Sequence, residues 1–96
     1  MPNPKEKLKD KIRAERSAAG FLTDEEIKKI RKKLGLTQRL MAETLGVGEK
    51  NFARYENLSV RQSRAMDNLL RILDAYPEAI KIIEVNKQSS DEKKKR

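Results

Sequence analysis

Residues 38–57 read QRLMAETLGVGEKNFARYEN, and their spacing decides the architecture. Ala42 is the small residue that lets two short helices cross closely. Gly46, four residues on, supplies the positive φ that a tight turn needs. Met41 and Leu45 fall inward before the turn, and Val47, Phe52 and Tyr55 fall inward after it. Gly48 serves as N-cap of the second helix, with Val47 placed to pack on Phe52 as a hydrophobic staple. At about 100° per residue, Lys50, Ala53, Arg54 and Asn57 share the face opposite Phe52 and Tyr55, flanked by Glu49 and Asn51. A cationic, polar face with a small residue in it suits base edges, because Lys or Arg donates to guanine and Ala touches a thymine methyl. The spacing therefore predicts a helix-turn-helix whose second helix, residues 48–57, enters the DNA major groove. Lys50, Asn51, Ala53, Arg54 and Asn57 are its candidate base contacts. Glu49 fits either acceptance from cytosine or repulsion of phosphate. The same outer face also suits a solvated helix pair used for protein contacts.

Ninety-six residues allow one domain with tails, and 36% hydrophobic against 40% charged content means a small core. The chain has no cysteine and no histidine. Disulfides, thiol chemistry and the usual zinc ligands go together, and the commonest general base goes with them, so neither a metal, a cofactor nor an enzyme is expected. No apolar run approaches the ~20 residues of a membrane span, and no signal-peptide pattern opens the chain. A cytoplasmic protein without a membrane partner is the expectation. The net charge of +8 is uneven. Residues 1–20 hold six basic and three acidic groups, residues 21–86 hold twelve and ten, and residues 87–96 hold five and two. Non-specific attraction to a polyanion is thus concentrated at the ends, and sequence reading must come from the nearly balanced middle.

The opening residues 1–20 read as a basic helix or arm. Asn3 caps it, Pro4 suits the first helical position, Glu6 completes an Asn-x-x-Glu pattern and Gly20 stops it. Its apolar stripe, Leu8, Ile12 and Ala19, is thin, which favours a frayed, solvated segment over a DNA-contacting or partner-ordered one. The first core helix spans residues 21–34. Thr23 and Glu26 form a capping box, Leu22 and Ile27 a staple, and Ile27, Ile30 and Leu34 the inward stripe. Acidic Asp24, Glu25 and Glu26 meet the positive end of its dipole, basic Arg31, Lys32 and Lys33 the negative end, and Gly35 ends it.

Thr37 caps the next helix and places Gln38 and Arg39 at its N-terminus, where free N–H groups and the dipole favour a phosphate. Leu40 is expected to be partly exposed. After a glycine-free loop, Ser63 caps a helix over residues 64–76 with the stripe Met66, Leu69, Leu70, Leu73 and Tyr76. Arg61, Ser63 and Arg64 are candidates for a second phosphate clamp. Pro77 then starts a short helix, residues 78–85, apolar on more than one side. A second copy of the chain is one covering partner, through Ile82 and Val85, and full burial in a monomer is the other. Residues 87–96 read as a disordered basic tail.

FLTDEEIKKIRKKLGLTQ, LGVGEKNFARYEN and QSRAMDNLLRILDAYPE together resemble the C-terminal part of the zinc-finger/helix-turn-helix antitoxins of MqsA type, and more broadly Xre/Cro-type repressors. The similarity covers roughly residues 12–83. It implies an all-α fold: a five-helix Xre/Cro-like helix-turn-helix DNA-binding domain over residues 21–86, with an extra N-terminal helix. It also implies a homodimer that binds a palindromic double-stranded operator and represses its own operon, with a toxin encoded beside it. Carried onto this sequence, it supports Lys50 and Arg54 at base edges, and Gln38, Ser63 and Arg64 at phosphates. It further suggests that Glu56 pairs with Arg31. The family's N-terminal domain holds zinc through Cys-x-x-Cys pairs, which this chain lacks. Many Xre relatives have glycine after the position of Asn57, where this chain has Leu58. The competing expectation is a protein-interaction module, a toxin-covering antitoxin or adaptor, that works through the N-terminal and last helices.

Overall fold

The computed structural model describes residues 3–83, and every regular element among them is a helix. Five α-helices follow in order: α1 (Pro4–Ala18), α2 (Asp24–Lys33), α3 (Gln38–Leu45), α4 (Glu49–Glu56) and α5 (Arg64–Ala75). A 3-10 turn at Pro77–Ala79 comes next, and residues 80–83 are again helical. Val85 and residues 87–96, read above as an interface position and a tail, lie outside the described residues. The architecture agrees with the all-α, helix-turn-helix-like expectation. No described helix is long and apolar enough to cross a membrane.

The starts of the helices follow local chemistry. Thr23 Oγ1 accepts from the Glu26 N–H while Glu26 accepts from the Thr23 N–H, so the capping box is complete. Thr37 accepts from the Leu40 N–H, and Ser63 from the Met66 N–H. At the end of α3, Gly46 takes φ +78, the Gly46 N–H donates to Glu43 and the Val47 N–H to Ala42. Only glycine adopts that conformation without strain, and the paired bonds close the helix as a Schellman turn. The chain then reverses directly into α4.

The core is formed where α2, α3, α4 and α5 meet. Ile27, Met41, Phe52, Leu70 and Leu73 are sealed from solvent, with Leu22, Ile30 and Ala42 nearly so. Phe52 meets Tyr55 edge to face, with ring centroids 6.2 Å apart. Phe21 and Leu22 precede α2 as a buried non-helical segment, so the first core helix begins at Asp24 and not at Phe21. Tyr76 is a further correction. It was expected on the inward stripe of α5, yet it is 62% exposed. It caps the helix at φ −132, ψ 76, because Pro77 disfavours helical backbone before it, and leaving the helix turns the ring off the stripe.

Leu58 stands at φ +68, the one non-glycine residue of the described chain with positive φ. The left-handed conformation costs a β-carbon-bearing residue roughly 1–2 kcal/mol. Burial of the leucine side chain, only 7% exposed, offsets this by roughly 1.5–3 kcal/mol. The loop therefore makes the same turn that a glycine would make, held by packing instead of by backbone freedom.

Asp67 joins α5 to the segment before α2. Its sealed carboxylate accepts from the Leu22 N–H at 2.8 Å, Gln62 Nε2 at 2.9 Å and Arg71 Nε at 2.8 Å. Burial works to raise its pKa, but the bonds from Arg71, Leu22 and Gln62 outweigh it and hold the carboxyl below its ordinary value. Asp24 behaves alike, with burial opposed and exceeded by Arg13. Both groups are charged in the fold at pH values where the unfolded chain takes up protons. Their stabilisation is thus full above the unfolded carboxylate value and is lost as pH falls through the lower folded value. Urea unfolding should show a flat midpoint from pH 7 to about 5 and a falling one below about 4. Asp67→Asn should cost about 2–3 kcal/mol at pH 7 and make the acid limb shallower.

Candidate nucleic-acid interface

Two residues of α4 are locked from behind, which sets the direction of its outer face. Phe52 is sealed in the core, and Glu56 keeps a side chain only 2% exposed. Arg31 of α2 reaches that carboxylate through Nε at 2.7 Å and Nη2 at 3.3 Å, and donates Nη1 to the Leu36 carbonyl at 2.9 Å. Gln38 of α3 adds a third donor, Nε2 at 3.0 Å. One buried carboxylate on α4 is therefore gripped by both preceding helices. A bidentate guanidinium fixes its orientation as well as its charge. The pairing of Arg31 with Glu56, suggested by the family resemblance, is present.

With Phe52 and Glu56 held inward, Lys50, Asn51, Arg54 and Asn57 are exposed, and Ala53 is half-buried between them. Asn57 also turns its side chain back, accepting the Ser59 N–H at 2.9 Å. The arginine here differs from the other described arginines. Arg13, Arg31, Arg39, Arg64 and Arg71 form ion pairs, Arg16 bonds a carbonyl, and Arg61 stacks on an aromatic ring. Among the described arginines, only the Arg54 side chain engages nothing in the chain, and Lys50 is likewise without a partner.

The flanking candidates are placed differently from one another. Arg39 is exposed at the start of α3, loosely paired with Glu43 at 3.9 Å. Gln38, half-buried, directs its amide at Glu56 instead of outward. Ser63 caps α5. Arg64 and Arg61 both lie over the Phe21 ring, at 3.8 and 4.2 Å from its centroid. Arg64 also donates to the Gly20 and Ala19 carbonyls. Phe21 is thus a platform that gathers two cations, a role its place before α2 does not signal. Ile82 is 67% exposed, while Leu40 is 41% exposed as expected.

Attachment of α1 was also not legible. The helix contributes no buried residue, and Leu8 of its expected stripe is 58% exposed. Charged side chains tie it to the rest of the chain. Arg13 grips Asp24 through Nε at 2.9 Å and Nη2 at 3.1 Å, and Arg16 donates to the Leu58 carbonyl at 3.1 Å. The Asp24 bond raises the Arg13 pKa above its ordinary value. The expected frayed arm is therefore an ordered helix tied to the domain by guanidinium groups.

Zinc, which the N-terminal domain of the resembled family takes, does not fit the residues present. The chain has neither Cys nor His, and no acidic group among the described residues could hold a metal ion.

The model of the antitoxin component of the bacterial toxin-antitoxin system, MqsA, matches residues 4–84. Antitoxin MqsA of Escherichia coli (strain K12) is 40% identical over 62 residues, which cover 65% of this chain and 47% of that protein. The chain thus spans about half the length of the curated relative it matches. No solved structure matches it. With the match running through α1 to the end of the described helices, the chain belongs to the MqsA antitoxin family.

Proposed function

We propose that the chain is a sequence-specific DNA-binding regulator of antitoxin type, a homodimer that represses its own operon. The observation that carries this reading is the outer face of α4, where Lys50 and Arg54 stay unpaired while the other described arginines are engaged. Unpaired cations in a row on a helix locked from behind suit donation to base edges. In this reading Lys50 and Arg54 read bases, Asn51, Ala53 and Asn57 line the same groove, and Arg39 meets a phosphate at the start of α3. Ser63, Arg61 and Arg64 set the backbone register around it, while Gln38, turned inward to Glu56, holds α4 in place. Two copies joined through the last helix at Ile82 would meet half-sites about 34–36 Å apart on a palindromic operator.

The test is binding of the purified protein to DNA from upstream of its own gene, against scrambled DNA, at two salt concentrations. Tighter binding to its own promoter that survives moderate salt is expected. Equal, salt-fragile binding to both would leave only non-specific attraction by the basic ends.

A second reading has its own observation. Leu8 and Leu40 are exposed apolar side chains, and a toxin partner would cover them. Arg54→Ala should then spare partner capture while removal of residues 1–20 abolishes it.

A further inference from the structure

Arg16 is an unusual tether. Its Nη2 donates to the Leu58 carbonyl, but its Nη1 is sealed from water and has no hydrogen-bond partner. A buried donor without an acceptor costs free energy, and a charged one costs more. Its surroundings do not relieve it. A cleft of about 270 Å³ opens between α1 and the loop after α4, lined by Ile12, Glu15, Arg16, Ala19 and Arg61. Arg61 brings a second cation to the same cleft and is itself held by stacking on Phe21. That stacking leaves its N–H edge without an acceptor in the chain. Burial pulls the Arg16 pKa below its ordinary value, Asp24 opposes the fall and Arg61 adds to it. Structural ion pairs elsewhere in this protein are built the other way, with each guanidinium facing a carboxylate.

We propose that this cleft is a phosphate site, in which Arg16 and Arg61 together hold one tetrahedral oxyanion. The volume is several times the ~30 Å³ share of a water molecule, so a phosphate group enters with room for hydration. Arg16 lines the cleft and carries the donor that has no acceptor in the chain. Two guanidinium groups converging on one oxyanion is the arrangement that best matches phosphate geometry. Glu15 at the rim opposes the anion and sets its affinity lower than the two cations alone would. The phosphate belongs either to the DNA backbone or to a free ion. Only the first source rests on the DNA-binding function proposed above.

The experiment titrates inorganic phosphate into the 96-residue chain at constant ionic strength, followed by amide NMR shifts. Saturable shifts confined to residues 12–19 and 58–62 are expected. They should vanish in Arg16→Gln and saturate at about threefold lower phosphate in Glu15→Gln. Absence of saturation, or saturation indifferent to both substitutions, overturns the site. Glu15→Gln decides the matter even if Arg16→Gln releases α1, because the Glu15 side chain is exposed and makes no bond in the fold. DNA binding in a salt series then separates the sources. For a backbone phosphate, Arg16→Gln weakens binding to operator and scrambled DNA alike by about tenfold and reduces the salt slope by about 1. For a free ion, the phosphate titration responds and the salt slope does not. Should the protein bind no DNA, the DNA-binding function fails while the phosphate titration still decides the site.

Discussion

Arg31→Ala should destabilise the domain by about 3–5 kcal/mol, a large share of the ~5–15 kcal/mol that holds a typical domain folded. The reason is what it leaves behind. The Glu56 carboxylate would stay buried with Gln38 as its remaining side-chain donor, since Arg31 supplies both Nε and Nη2 to it. The Leu36 carbonyl would also lose the Nη1 donor that binds the turn after α2. For a domain of this size the melting temperature should fall by more than about 10 °C. Two controls give the result meaning. Lys32→Ala, one residue along and exposed, should change stability by less than about 0.5 kcal/mol. Arg31→Met with Glu56→Leu should recover most of the loss, because removing both charges removes the uncompensated one. A thermal melt of Arg31→Ala matching that of the unsubstituted protein would show that the pair is decorative. Any loss of DNA binding in this variant would come through unfolding or through a loosened α4, since Arg31 lies on its inner side.

Lys50→Ala and Arg54→Ala should do the opposite, leaving stability alone and removing selectivity. Both side chains are exposed and unpaired, so melting should stay within about 0.5 kcal/mol of the unsubstituted protein. Each base contact should be worth about 1–3 kcal/mol of discrimination, or roughly 5- to 150-fold in the preference for operator over scrambled DNA. The double substitution should bring the two DNAs close to equal affinity. The remaining binding should be steeply salt-dependent, because it comes from phosphates and the basic ends. A double variant that still prefers its own promoter would move base reading off α4 altogether, and capture of a protein partner would become the leading account of the outer face.

Most of the local architecture could be read from residue types and spacing. Thr23, Thr37 and Ser63 cap the helices they were expected to cap, and Gly46 makes the turn between α3 and α4. Phe52 and Met41 fall inward as their periodicity requires. These features are legible because each rests on bonds or periodicities within a few residues. Of the candidate site, the α4 face was legible for the same reason.

Assignment of the other cations was not legible in this way. Arg64 bonds carbonyls 44 and 45 residues away, Asp67 accepts from Leu22 across 45, and Arg61 lies over Phe21. Long charged side chains take whichever partner the packed backbones bring within about 3 Å, and spacing along the chain does not encode that. The left-handed Leu58, the exposed Tyr76 and the charge-tethered α1 have the same origin. The sequence by itself determined where helices start, turn and bury a face, because capping and periodicity act locally. Only the tertiary structure decided which cations are occupied and which stand free, because that depends on distances that exist once the helices have packed.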